Sequence, residues 1–172
     1  PGLASLLSTL SPEDFLERFW PGEAVVVHGP PERLSGLVDV PELVDLPRLV
    51  RLPARGLLVQ SRAVGNREVP PAAALPLAVG MTLCVLEPQL ASRSFYRWVA
   101  ALHRDLALDP GVLRASVFVS RRGPGAGLRF DGTERFIVQV RGRTVWTIAP
   151  NEHLPNPPGS HLAGDALSPE LA

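Results

Sequence analysis

The stretch of sequence that decides the fold runs from Ser120 to Trp146 and reads SRRGPGAGLRFDGTERFIVQVRGRTVW. A glycine-rich loop at 121–127 opens this stretch. Apolar residues then alternate along 136–140, and a second β-rich run at 144–148 follows the Arg141–Gly142 turn. Alternation with a period of two is typical of strands, so this region predicts two neighbouring strands joined by a tight turn.

Two helices and several strands are predicted before this stretch. Ser11 caps the first helix and Pro21 ends it, because serine accepts a hydrogen bond from a free N–H and proline cannot continue a helix. The second helix begins at Ser92 or Ser94, has apolar residues at helical spacing, and ends before Asp109. Strands are predicted at 24–27, 57–59, 81–86 and 115–119. Helices first and closely spaced hairpins afterwards predict an α+β domain with an antiparallel sandwich or barrel.

Composition limits the partners of the chain. The 172 residues are 45% hydrophobic and 20% charged, and 17 basic side chains balance 17 acidic ones. A neutral domain has no broad field that attracts nucleic acid or an anionic membrane, so neither is an expected partner. Cys84 is the single cysteine, which excludes an internal disulfide and predicts a buried structural thiol. No apolar stretch is long enough to cross a bilayer and no signal pattern opens the chain, so we expect a cytoplasmic protein.

The decisive stretch resembles the metal-strand region of Jumonji-C oxygenases, particularly the ribosomal-oxygenase and cupin-like branch. In that family a Ser-Pro-Gly-rich loop leads into His-x-Asp, then into an apolar strand ending in Gln-Val-x-Gly, then into a strand with a basic residue and Trp. The matching positions here are Gly123–Gly127, Asp131, Phe136, Gln139, Gly142 and Trp146. The earlier helices and strands resemble the approach to that barrel, so the resemblance covers nearly the whole chain.

The fold that this resemblance implies is a double-stranded β-helix of the jelly-roll or cupin type with an N-terminal helical lead-in. Residues 1–110 are assigned to the helices and first strands, and residues 111–172 to the central metal-strand region of the same barrel domain. The barrel is incomplete in these residues. Because exposed strand edges are normally paired or covered, we expect further strands after Ala172 or from a partner chain, including a second copy.

The resemblance also implies a site for Fe(II) and 2-oxoglutarate. Two histidines and a carboxylate bind one face of the metal in this family. Asp131 matches the carboxylate, Arg129 occupies the position of the first histidine, and the second histidine is expected after Ala172. Thr144 stands where many members place the basic residue that binds 2-oxoglutarate, and Arg143 lies one position away.

The Arg129 substitution has a physical consequence of its own. A guanidinium stays protonated and has no lone pair to donate, so it cannot replace an imidazole as a metal ligand. Residues two apart on a strand point to one face, about 6.5–7 Å apart along the chain. We therefore hypothesise that Arg129 and Asp131 form an internal ion pair in place of a metal site. The expected cofactors are Fe(II) and 2-oxoglutarate if the protein is active, and the alternative is that it binds none.

Other candidate sites remain as alternatives. His153 and His161 lie in a stretch rich in proline and asparagine, where they can form an irregular metal site with Asp131. Loop histidines are more often polar surface, and the glycine-rich loop lacks the Lys-Ser/Thr of a phosphate-binding loop. His103 is predicted to be solvated or paired locally on its helix.

Three functions remain open. The first is an iron- and 2-oxoglutarate-dependent hydroxylase of a protein, a peptide or a small natural product, with a metal site impaired by Arg129. The main alternative is a non-catalytic barrel that binds a peptide or a protein partner. The third is a plain cupin that binds a sugar or another small molecule.

Overall fold

The computed structural model describes residues 2–38, 40–61, 65–74, 81–109, 111–121, 129–130, 132–148 and 161–162. The chain divides into two compact units, Pro1–Gly123 and Pro124–Ala172, and each is described by itself. The predicted boundary at residue 110 inside one barrel domain stays a prediction.

Short helices open the first unit and one longer helix follows later. The described α-helices are α1 (Leu3–Leu7), α2 (Pro12–Arg18), α3 (Ser35–Val38), α4 (Pro41–Val44), α5 (Leu46–Leu49), α6 (Pro71–Ala74) and α7 (Arg93–Asp105). Single turns of 3-10 helix span Pro31–Leu34 and Pro88–Leu90. Both predicted helices are confirmed: Ser11 accepts the N–H of Asp14 at the start of α2, and Ser92 accepts the N–H of Phe95 at the start of α7.

Helix α1 is held at both ends by side chains that lie far away in the sequence. The Leu3 N–H donates to Asp105 Oδ2 at 2.8 Å, which satisfies a free donor at the start of α1. At the other end, Arg33 Nη1 donates to the carbonyl oxygens of Ser5 (2.7 Å) and Leu6 (2.5 Å). A five-residue helix is marginal alone, so these two contacts and the burial of its leucines determine its position.

Helix α7 is the centre of the helical half of the first unit. Its apolar residues follow a 3.6-residue period and lie buried in one face. That face packs against α1 and α3, which contribute their own buried leucines. The buried residues of α7 are Phe95, Trp98, Val99, Ala101 and Leu102.

An antiparallel sheet of four strands forms the other half of the first unit. The strands are β1 (Gly56–Ser61), β2 (Gly65–Glu68), β3 (Thr82–Leu86) and β4 (Ser116–Ser120), in the order β2-β1-β3-β4. The predicted strands at 57–59, 81–86 and 115–119 are therefore confirmed. One face of the sheet packs against Leu49, Val50 and Ala74 to form a buried cluster. Leu83 and Val85 of β3 are the residues of the central strand in this cluster.

The second unit contains one short described pairing. Strand β5 (Arg129–Phe130) pairs antiparallel with β6 (His161–Leu162), with Arg129 opposite Leu162 and Phe130 opposite His161. Residues 132–148 form no hydrogen-bonded strand. Burial still alternates along 136–140, as a strand requires, and a bend at Arg141–Gly142 follows.

Three sequence predictions of strands are wrong. Residues 24–27 form no strand, and Val26 is 71% exposed. The runs at 136–140 and 144–148 have strand-like sequences but form no strand within the described part of the chain. Strand propensity reflects packing on a half-buried sheet, and these runs belong to neither of the sheets that the described residues form.

The described architecture is a mixed helix and antiparallel-sheet structure, in agreement with the predicted α+β class. The four-stranded sheet is not closed into a barrel. The jelly-roll form therefore remains a proposal. Among the described residues, every helix is too short or too polar to cross a lipid bilayer.

Candidate functional site

Strand β5 carries the residue that replaces the first histidine of the family motif. Arg129 is the first residue of β5, and its backbone partner is Leu162. Asp131, the predicted carboxylate ligand, lies outside the described residues. The predicted Arg129–Asp131 ion pair therefore stays a prediction.

His161 lies in a short strand that the surrounding sequence does not predict. Sequence reasoning assigned it to an irregular loop, whereas it begins β6 and pairs with Phe130. Phe130 immediately precedes Asp131 in the chain. The low content of strand-forming residues around His161 hid this pairing, because a two-residue strand carries no periodic signal. His153 lies outside the described residues.

The described residues do not provide the ligand set that Fe(II) requires. Within the described ranges, no three His, Cys, Asp or Glu side chains lie close enough together to hold a metal ion. Arg129 contributes no lone pair to such a site. The fit of iron to this chain thus depends on residues such as Asp131 that lie outside the described part.

The predicted 2-oxoglutarate residues follow a turn in the second unit. Gly142 adopts φ +80°, a left-handed conformation that glycine adopts readily because it has no Cβ. Gln139 Nε2 donates to the Arg141 carbonyl oxygen at 2.7 Å, on the N-terminal side of this turn. Arg143 and Thr144 follow it with exposed side chains. Neither residue contacts a counter-charge within the described part of the chain, and their role toward 2-oxoglutarate stays a prediction.

Two predictions about lone side chains agree with the structure. Cys84 is 2% exposed on β3, and burial raises the pKa of its thiol while a hydrogen bond with the Ser116 side chain partly offsets that rise. A protonated buried thiol is a poor nucleophile. His103 Nε2 lies 2.7 Å from the Asp109 carbonyl oxygen, so this histidine interacts locally at the end of α7.

Sequence reasoning missed a cluster of charges at one end of the four-stranded sheet. Arg55 Nη1 lies 3.1 Å from Glu87 Oε1, and Arg114 Nε lies 3.9 Å from the same oxygen. We call Arg55, Glu87 and Arg114 the sheet-end cluster. The three residues lie in separate parts of the sequence, so only strand pairing brings them together.

Comparisons with known proteins agree with the resemblance seen in the sequence. No family model matches the chain. The chain is 28% identical over 165 residues to the uncharacterised protein YxbC of Bacillus subtilis (strain 168), covering 90% of this chain and 50% of that protein. It is 28% identical over 169 residues to ribosomal oxygenase 1 of Rattus norvegicus, covering 92% of this chain and 27% of that protein.

The human protein of the same name shows the same relation. Ribosomal oxygenase 1 of Homo sapiens is 27% identical over 169 residues, which cover 92% of this chain and 25% of that protein. The chain therefore spans half or less of the length of the curated relatives it matches. Similarity over most of this chain supports a shared ancestry with the ribosomal oxygenases.

Proposed function

We propose that this chain is the front portion of a Jumonji-C/cupin-type barrel of the 2-oxoglutarate oxygenase family, with a metal site impaired by Arg129. The similarity to ribosomal oxygenase 1 over 92% of the chain supports the family assignment. The observation that carries the impairment is the chemistry of residue 129, because a guanidinium offers no electron pair to a ferrous ion. The proposed ancestral activity is hydroxylation of a protein, a peptide or a small natural product.

The proposed barrel needs more strands than the described residues supply. Ile137, Val145, Trp146 and Ile148 are exposed apolar side chains in stretches that form no strand pairing within the described part. Apolar residues of strand-like runs are normally paired with or covered by another element. We propose that further strands cover them, from additional residues of the same polypeptide or from a partner chain.

Metal content tests the proposed impairment. The full-length polypeptide, purified without chelator, is expected to hold far less than one iron per chain and to convert no 2-oxoglutarate to succinate when iron is added. The variant Arg129→His supplies an imidazole at the altered position and is expected to raise iron binding, provided that a second histidine ligand follows in the polypeptide. Bound iron and succinate are the two measurements.

Two further variants control this experiment. Arg51→His adds a histidine at an exposed position of the first unit and is expected to leave iron content unchanged. Asp131→Ala in the Arg129→His background is expected to abolish the gained iron. Stoichiometric iron in the unaltered protein that disappears on Asp131→Ala would refute the Arg129–Asp131 ion pair and the proposed impairment together.

The second candidate function is a non-catalytic barrel that binds a peptide or a protein partner. Arg129 favours it, because a barrel that lacks a metal ligand at this position can still bind a partner. Succinate production that depends on 2-oxoglutarate and iron in the unaltered protein contradicts this alternative. A protein that lacks turnover even as Arg129→His, yet retains a partner, supports it.

A further inference from the structure

A cavity lies at one end of the four-stranded sheet in the first unit. Its volume is about 320 Å³, near the lower limit of the roughly 300–1,000 Å³ typical of small-molecule pockets. The sheet-end cluster and Gln89 provide its polar lining, and Leu90 and Leu113 provide its apolar lining. This combination of a few converging polar groups with apolar walls is typical of ligand sites.

Strand topology builds this cavity from three neighbouring strand ends. The Arg55 N–H donates to the Leu86 carbonyl oxygen at 3.0 Å, so Arg55 lies beside the end of β3. The Glu87 N–H donates to the Ala115 carbonyl oxygen at 3.0 Å, which places Arg114 beside the same end from the other side. Because β3 lies between β1 and β4 and is antiparallel to both, its last residue meets the first residues of its two neighbours.

The charges of the cluster do not balance. Two guanidinium groups share one carboxylate, and both ion pairs use the same oxygen, Glu87 Oε1. Each guanidinium has five N–H donors, and neither arginine makes another side-chain hydrogen bond within the described residues. The cluster therefore has a net positive charge and free donors that suit a carboxylate, which guanidinium groups bind in a bidentate manner.

Two features of the 3-10 turn Pro88–Leu90 and of the residue before it indicate a ligand rather than a purely structural contact. Gln89 is 8% exposed and lines the cavity, yet its buried Oε1 accepts no hydrogen bond within the described residues. A buried amide oxygen without a donor is uncommon in native structures. Glu87 also adopts φ +51°, a left-handed conformation that is costly for a residue with a side chain and that is concentrated at functional sites.

We propose that this cavity binds a small carboxylate that carries a neighbouring N–H group, which is the chemistry of an N-acylated amino acid or of a polypeptide C-terminus. The carboxylate binds Arg55 and Arg114, the N–H donates to the amide oxygen of Gln89, and an apolar side chain packs on Leu90 and Leu113. The site uses residues of the first unit alone and does not depend on the proposed oxygenase function.

Three probes that differ by one group test the proposal on the full-length protein. N-acetyl-leucine has the carboxylate and the N–H, N-acetyl-leucinamide lacks the carboxylate, and N-acetyl-N-methyl-leucine lacks the N–H. N-acetyl-leucine is expected to shift the backbone amide NMR signals of Glu87, Leu90 and Ala115, and to bind about tenfold more tightly than either analogue. Its affinity is expected to fall at high salt, because salt screens the exposed arginines.

Variants separate ligand binding from support of the strand ends. Arg114→Gln is expected to weaken binding of N-acetyl-leucine about tenfold, whereas the matched control Arg51→Gln removes an exposed arginine outside the cavity and leaves binding unchanged. Gln89→Leu retains both arginines and is expected to abolish the preference for N-acetyl-leucine over its N-methyl analogue. This second variant keeps the test decisive if Arg114→Gln unfolds the protein.

Several results would overturn the proposal. These are equal binding of N-acetyl-leucine and its amide, equal effects of Arg114→Gln and Arg51→Gln, and absence of binding by all three probes at millimolar concentration. A tetrapeptide that ends in leucine distinguishes the two sources of the ligand. Tighter binding of the peptide than of N-acetyl-leucine supports a polypeptide C-terminus, and weaker binding supports a free acylated amino acid.

Discussion

Strand β3 and residues 136–148 have similar apolar, β-branched sequences but opposite environments. β3 pairs with β1 on one side and β4 on the other, and Leu83 and Val85 in its middle are 0% exposed. Val145 is 88% exposed and belongs to a run that forms no strand pairing within the residues that the structure describes. The contrast shows that an apolar, β-branched sequence alone specifies neither a strand nor its burial, because both require neighbouring strands and a packed face.

The largest expected difference between these regions is in how much side-chain truncation lowers the free energy of unfolding. Leu83→Ala leaves a cavity in the sheet core and is expected to lower the free energy of unfolding by about 2–5 kcal/mol. Val145→Ala removes an exposed side chain from the 172-residue chain and is expected to change it by less than about 0.5 kcal/mol. Urea denaturation followed by circular dichroism measures both values.

The same pair of variants tests whether further strands cover residues 136–148. In a longer polypeptide or in a complex that supplies those strands, Val145→Ala is expected to become destabilising. A large effect of Val145→Ala in the 172-residue chain alone would contradict the exposure of this side chain.

An intermediate effect is expected from two glycines with similar backbone conformations. Gly111 has φ +86° and belongs to the first unit, while Gly142 has φ +80° and belongs to the second. Neither position has a described atom close enough to crowd a new Cβ, so alanine there adds backbone strain without a steric clash. Gly111→Ala is expected to lower the free energy of unfolding of the first unit by about 1–2 kcal/mol.

Gly142→Ala introduces the same backbone strain in the second unit. If the first unit unfolds independently, its denaturation midpoint is expected to stay unchanged in Gly142→Ala. Equal shifts in the two variants would show that the two units unfold as one. Gly22→Ala, at an open position without a positive φ, is the control for the added methyl group.

The smallest expected effect is a pH dependence of stability that arises from Cys84. Burial raises the pKa of this thiol in the folded protein, whereas a thiol in the unfolded chain has a pKa of about 8.5. Above that pH the unfolded state binds fewer protons than the folded state, so the free energy of unfolding falls as pH rises toward the native pKa.

Comparison of denaturation curves between pH 8 and 10 isolates this contribution. Cys84→Ala is expected to show a shallower decline than the unaltered protein over this range. Ser116→Ala removes the hydrogen bond that partly lowers the pKa and is expected to extend the decline to higher pH. Parallel curves for the unaltered protein and Cys84→Ala would contradict a raised native pKa.

Sequence reasoning succeeded where the information was local. The caps Ser11 and Ser92, the apolar period of α7 and the compact apolar run of β3 are signals that lie within a few residues of each other. It failed at 24–27 and 136–148, where the composition is that of strands but a partner strand decides the outcome. The predicted metal residues were identified by resemblance alone, and Asp131 lies outside the described part of the chain.

The sequence by itself determined the positions of the main helices, the antiparallel α+β character and the chemistry of residue 129, because caps, periodicity and the lack of a guanidinium lone pair are local properties. Tertiary structure alone decided that Asp105 and Arg33 hold α1, that His161 pairs with Phe130, and that the sheet-end cluster lines a cavity. These contacts join residues separated by tens of positions, and they form only after strand register and helix packing have brought distant segments together.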